Sequence, residues 1–186
     1  MSSLNDAEIR SQLITWLNEK PIKPQLILNE VTISDGFARP DIIAIYSYSH
    51  CYEIKGDNDQ IERISKQLSY YQASFKKNTL ITTYKHLKKA LELLPPSWGV
   101  IVAIPTENNN IKFKYIRKSS YNLFYRKDIA SKILWKEEMQ NLLKRKSIHF
   151  NSKLTRFDLI DLIKKGTTSN EVDKFVCSSL LNRKIS

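Results

Sequence analysis

A mixed α/β fold is the class this sequence predicts, and three observations predict it. Short aliphatic and β-branched runs at 26–33, 40–47 and 50–55 are separated by turn residues; apolar residues recur at helical spacing before and after them; and the chain closes on basic segments of helical pattern. At 186 residues, with 41% hydrophobic and 26% charged residues, the chain has the size and composition of one globular domain. The expected organisation is a core over 1–127 and a basic helical C-terminal extension over 128–186 packed on it.

The segment 6–19 carries Ile9, Leu13, Trp16 and Leu17 at helical spacing behind an acidic first turn and stops before Pro21, which predicts an amphipathic helix. Pro21 and Pro24 then keep the chain extended. The run 26–33 reads as a strand broken by Ser34-Asp35-Gly36, 40–47 as a second strand, and 50–55 as a third after a turn at Ser49-His50. Asn58 or Asp59 is placed to cap a helix to about Phe75, in which Ile61, Ile64, Leu68, Tyr71 and Phe75 repeat at three and four residues. A strand over 78–83, a helix over 85–94 stopped by Pro95-Pro96, a strand over 98–104 and an edge strand over 112–116 follow. Helices are expected over 128–145, 155–164 and 170–182, with Gly166 between the last two and a capping box at Thr168-x-x-Glu171.

Several classes of function are excluded early. The opening residues lack a basic stretch followed by an apolar one, and no apolar run reaches the roughly 18 residues of a membrane span, so a cytoplasmic protein with no membrane contact is expected. Cys51 and Cys177 have no CxxC spacing, which argues against zinc or a disulfide framework. No P-loop or GxSxG element occurs, and His50, His86 and His149 lack HExxH or HNH-like surroundings. His50 lies near the proposed site, though a turn role serves it as well. Basic and acidic residues balance at 12 each through Ile111 and separate to 18 against 7 from Lys112 on, so the whole excess of +11 lies in the last 75 residues. Such a region attracts polyanions; a merely soluble surface is the plain alternative.

Chemistry concentrates in Arg39-Pro40-Asp41, eleven intervening residues, and Glu53-Ile54-Lys55. Alternation along a strand puts Glu53 and Lys55 on one face, and a hairpin at 47–50 would set Asp41 across from them. Two carboxylates then converge on one cation with an amine in reach. Hard oxygen donors suit magnesium, with manganese as a substitute. A metal at Asp41 and Glu53 would acidify water and polarise a phosphate, while Lys55 orients the nucleophile, stabilises charge or takes a proton. Glu30 is a candidate third acid and metal ligand, or else a surface carboxylate. Gln67 and Tyr71, four apart on one helical face, are placed to hold the site or a phosphate, although Tyr71 fits the apolar stripe equally. For the motif as a whole, a salt-bridged strand pair of Glu53 with Lys55 or Arg39 is the plain alternative.

On these residues the chain resembles the PD-(D/E)xK nuclease superfamily, the restriction-endonuclease-like fold that includes RecB-type exonuclease domains and Holliday-junction resolvases, and above all its small bacterial and phage members. The likeness covers about 6–104 in the order α-β-β-β-α-β, through Glu30, Arg39 to Asp41, Tyr52 to Lys55, the Gln67 helix and Trp98-Gly99. It implies metal binding at Asp41 and Glu53 with the backbone carbonyl of Ile54, a catalytic Lys55, Glu30 as the upstream acid, and Gln67 with Tyr71 as a QxxxY variant. The expectation is a magnesium-dependent nuclease acting on DNA, with room for a homodimer. A non-catalytic DNA-binding or structural component of a phage or repair assembly, or an RNase on the same fold, are the alternatives.

Beyond that likeness, Lys112, Lys114, Arg117, Lys118, Arg126 and Lys127 interleave with Phe113, Tyr115, Tyr121, Phe124 and Tyr125. Cations meet phosphates and rings stack on unpaired bases, so these are candidate nucleic-acid contacts; an amphipathic edge strand guarded by lysines is the alternative. The two closing helices have the outline of a helix-turn-helix, or of a packing hairpin whose apolar face is buried.

Overall fold

Burial on both faces explains why the central runs read as nearly continuous apolar sequence. The structure, a computed structural model, describes residues 3–33 and 36–183. Strands β1 (Leu26–Asn29), β2 (Ile42–Ile45), β3 (Ser49–Lys55), β4 (Lys77–Thr82), β5 (Gly99–Pro105) and β6 (Ile111–Arg117) form one sheet in that order. The pairs β1–β2, β2–β3 and β5–β6 are antiparallel, whereas β3, β4 and β5 run parallel. Helices are α1 (Asp6–Asn18), α2 (Ile64–Ser74), α3 (Tyr84–Leu93), α4 (Lys127–Ala130), α5 (Lys136–Arg145), α6 (Arg156–Gly166) and α7 (Ser169–Arg183). The fold is therefore α/β with a six-stranded mixed sheet.

Strand parity assigns each residue to a layer. Ile42 and Ala44 of β2, Tyr52 and Ile54 of β3, Ile81 of β4 and Ile101 of β5 meet Ile9, Leu13 and Leu17 of α1. Their neighbours Ile43, Ile45, Cys51, Leu80 and Val100 face the other way, toward α2, α3 and the C-terminal helices. Because β3, β4 and β5 advance in one direction and parallel crossovers are right-handed, α2 and α3 must fall on the same face. Each fully buried Ile or Leu stabilises the fold by roughly 1.5–3 kcal/mol relative to exposure, so these two layers dominate the stability. The C-terminal helices share that second layer: Leu159, Ile163, Val172, Val176 and Leu180 are buried in the same cluster as Trp98 and Phe75. Both closing helices thus bury an apolar face in the core.

Helix ends obey their caps. Asn5 Oδ1 accepts from Glu8 N at 2.9 Å while Glu8 returns to Asn5 N, and the expected box at Thr168 and Glu171 forms in the same reciprocal way. Other boundaries differ from the sequence reading. The first strand ends at Asn29 rather than at Ile33, because Glu30 takes a left-handed φ of 52°, and Ile33 bridges to Ala38 instead. Ser34 and Asp35 of the expected turn lie outside the described residues; Gly36 has the positive φ, 96°, that a turn glycine supplies. Asp59 caps no helix, since its carboxylate accepts from Gly56 N at 2.7 Å, and the helix opens with a 3₁₀ turn at Ile61–Arg63 before α2. The helix expected over 128–145 is interrupted between α4 and α5. There Arg156 binds the carbonyls of Lys132 and Leu134, and Arg183 that of Ile133, in place of continued helical hydrogen bonds. Among the described residues, no helix is long and apolar enough to cross a membrane.

Candidate functional site

Antiparallel pairing of Ile42 with Tyr52 places Asp41, just before β2, beside the last residues of β3. Asp41 Oδ2 accepts from Ile54 N at 2.7 Å, and Lys55 Nζ donates to Glu53 Oε1 at 2.7 Å. Tyr71 of α2 donates its hydroxyl to Glu53 Oε2 at 2.9 Å. The structure thus brings Asp41, Glu53, Lys55 and Tyr71 together, and it adds a residue the sequence reading missed. Arg10 of α1 reaches Asp6 at 2.5 Å, Glu30 at 2.7 Å and Asp41 at 3.1 Å. Glu30 is exposed and also lies 3.9 Å from Arg39, while Gln67 shares with Lys55 a polar cleft lined also by Asp59, Arg63 and Lys66.

Burial and contacts pull these groups in opposite directions. Burial and then the nearby Glu53 push the Asp41 carboxyl upward, toward its neutral form, against the Ile54 N–H and Lys55. Burial alone would lower the Lys55 ammonium, but Glu53 and Asp41 outweigh it and hold it above its ordinary value, so it is a firm cation and a poor proton acceptor. The Tyr71 phenol is raised by burial and by Glu53, which keeps it a donor. Hydrogen bonding to Arg10 lowers Glu30. A magnesium ion is commonly bound by one or two carboxylates together with waters and a substrate phosphate. Here the oxygens of Asp41 and Glu53 face an amide, two cations and a phenol, and among the described residues no group of three or more His, Cys, Asp or Glu side chains is arranged to hold a metal. Of the strand ion pairs the sequence offered, Glu53 with Lys55 forms, whereas Arg39 lies beside Glu30.

At its other end β3 carries a different chemistry. The β2–β3 turn presents Tyr46 and Tyr48, with ring centroids 5.4 Å apart, and β3 continues with His50 stacked on Tyr52 at 4.2 Å. These residues line a cavity of about 500 Å³ beyond the end of α1, walled on the far side by Tyr115 of β6. Its cations are Lys20, Lys77 and Lys118, and among the described residues no carboxylate lines it. Lys20 lies 3.5 Å from the centre of the Trp16 ring, and Lys77 lies over both Tyr48, at 4.7 Å, and Tyr121, at 4.9 Å. His50 bonds Thr79 at 2.9 Å; burial and then Lys77 push its pKa down to about 3, so it stays neutral. The period-two aromatic series at 46, 48, 50 and 52 was the sequence signal for this wall. Lys20 and Lys77 carry no such signal, since only the fold brings them together.

The six cations expected to meet nucleic acid divide into two groups. Arg117 donates to the carbonyls of Trp98 and Pro95, Arg126 pairs with Asp128 at 2.8 Å, and Lys127 bonds the Thr167 carbonyl. Lys112, Lys114 and Lys118 are exposed. Of the interleaved aromatics, Phe113 and Tyr125 are buried, whereas Tyr115, Tyr121 and Phe124 are exposed.

Together the fold and these two ends define a mixed-sheet α/β protein with a hydrogen-bonded acid cluster and a separate basic, aromatic cavity. The chain belongs to the bacteriophage P4 protein cII family, whose family model matches residues 1–185. It is similar to protein cII of Enterobacteria phage P4, with 28% identity over 181 residues that cover 97% of this chain and 68% of the relative. No solved structure matches the chain. This membership, running nearly end to end, corrects the resemblance to the PD-(D/E)xK superfamily, which rested on a handful of motif residues within 6–104. With it fall the expectations of a nuclease, of a hydrolase and of an enzyme that cleaves DNA or RNA. In the structure Asp41, Glu53 and Lys55 converge in one hydrogen-bonded group with Arg10 and Tyr71.

Proposed function

We propose that this member of the phage P4 cII family is a non-catalytic nucleic-acid-binding component of a phage system. The observation that carries the reading is cationic surface that meets no counter-charge among the described residues: Lys112 and Lys114 on edge strand β6, and Lys118 just beyond it, stand exposed, as do Tyr115 and Tyr121. Surface lysines that meet no carboxylate gain most from phosphate, because binding releases the condensed counterions of the polyanion. The location of the whole +11 excess after Ile111 supports the same partner. The α-β-β-β-α-β order of the first part of the sheet supports a restriction-endonuclease-like frame, serving as a scaffold without turnover.

The test is fluorescence anisotropy of labelled DNA and RNA oligonucleotides with the full chain over a range of salt. Binding that weakens steeply with salt, with the oligonucleotides left intact in magnesium, is the expected result. Absence of binding at low salt to either nucleic acid overturns the reading.

A further inference from the structure

We infer that the cavity formed by the β2–β3 turn, the end of α1 and β6 receives one unpaired base of a nucleic-acid strand, with the adjoining phosphates on Lys20, Lys77 and Lys118; the inference rests on the nucleic-acid reading above. Its volume of about 500 Å³ falls in the range of small-ligand pockets, roughly 300–1,000 Å³, and so admits a flat ring rather than a helix or strand. The walls supply aromatic faces, in the half-buried Tyr46 and Tyr48 and the exposed Tyr115. Base stacking on such faces tolerates any sequence. The apolar floor at Leu17 and Ile101 would remain unused by a duplex, which offers phosphates outward and keeps its bases paired.

Polarity follows the same plan. All three charged lining residues are cations, so the mouth of the cavity is complementary to an anion attached to a planar ring. Lys20, whose ammonium is lowered by burial, gains from such an anion. Deeper in, the neutral His50 ring, Thr79 and the hydroxyls of Tyr46 and Tyr52, 3.4 Å apart, offer donors and acceptors to a base edge without presenting a charge. The floor also depends on close backbone approach: a side chain at Gly99 would stand 2.5 Å from Thr79 Oγ1 and 3.0 Å from Ser119 N.

The experiment compares single-stranded DNA, single-stranded RNA, a blunt hairpin duplex and a free nucleoside monophosphate. Each is titrated with wild-type protein, and a single 2-aminopurine within an oligo-dT strand reports base insertion directly. Expected are single strands bound about tenfold or more tighter than duplex, a 2-aminopurine signal changed on binding, and affinity lowered about tenfold in Tyr48→Ala and in Tyr115→Ala. The DNA, RNA and monophosphate arms show which source of base and phosphate is preferred. Equal affinity for duplex and single strand, or an unchanged 2-aminopurine signal in a bound complex, overturns this inference and leaves the broader reading standing. No binding by any strand overturns both. The 2-aminopurine measurement uses unmodified protein, so the outcome does not depend on whether the tyrosine variants fold.

Discussion

The two ends of β3 carry opposite solutions to charge. At the Lys55 end, carboxylates and cations meet one another: Glu53 is bonded by Lys55 and Tyr71, and Asp41 by Arg10 and the Ile54 amide. At the Ser49 end, cations meet aromatic faces and, among the described residues, no acid lines the cavity. The difference teaches that a cluster of catalytic-looking residues is read by what their tips touch. At one end the charges are met by groups of the same chain, whereas the cavity cations Lys20 and Lys77 are met by aromatic faces.

The sharpest way to break this comparison is to cut the ion pair at the first end. Glu53→Ala strands a part-buried Lys55 and the Tyr71 hydroxyl, and is expected to destabilise the fold by about 3–5 kcal/mol, read as a lowered urea midpoint. Nucleic-acid affinity of the folded fraction should hold. The double variant Glu53→Gln/Lys55→Met should lose less than the sum of its single substitutions, the signature of direct coupling. An unchanged midpoint in Glu53→Ala would mean that the pair is not structural.

The next effect belongs to the anchor of the other end. Ser49 Oγ donates to Asp173 Oδ1 of α7 at 2.5 Å, and burial pushes the Asp173 carboxyl from 3.8 up to about 6 against that hydrogen bond. The native state therefore keeps this proton after the unfolded chain has released it. The contribution of Asp173 to stability should be full below about pH 4, decline between about pH 4 and pH 6, and be lost above, by about 3 kcal/mol in all, seen as the difference between wild type and Asp173→Asn. Asp173→Asn should flatten that slope, and chemical denaturation across the pH range measures it.

A smaller effect addresses the cavity cations. Lys20→Ala/Lys77→Ala/Lys118→Ala should weaken single-strand binding by at least about tenfold and make the slope of log affinity against log salt shallower by about 2, with the urea midpoint little changed. If stability fell and binding did not, the contrast between the ends would be reversed. Smallest is Thr168→Ala, which removes the cap of α7 and should cost about 1 kcal/mol of stability without touching binding.

Much of the frame was legible because patterns of period two and 3.6 are local. Each expected strand from 26 to 116 has a counterpart in the sheet, and Thr168 and Glu171 form their box. Misplaced boundaries have tertiary causes: Arg156 and Arg183, distant in sequence, take the carbonyls that a continuous helix over 128–145 would have used. The convergence of Asp41 with Glu53 and Lys55 was also legible, from hairpin geometry. Its meaning was not, because Arg10 lies 31 residues from Asp41 and no local pattern announces their meeting. Arg117, Arg126 and Lys127 looked like free cations for the same reason; their partners are carbonyls and a carboxylate visible only after folding.

β3 is a wall with different rooms on its two sides. Cys51 faces the helical layer that holds Tyr71, and Tyr52 the layer of α1, so the spacing between Asp41 and Lys55 is fixed by two neighbours at once. Deleting a single residue within that stretch would turn each side chain through the sheet, moving the carboxylate among the tyrosines and a ring into the ion-pair group. Insertions and deletions should therefore be rare between 42 and 55 among relatives, and tolerated in the exposed connection between β5 and β6, where no such double constraint applies.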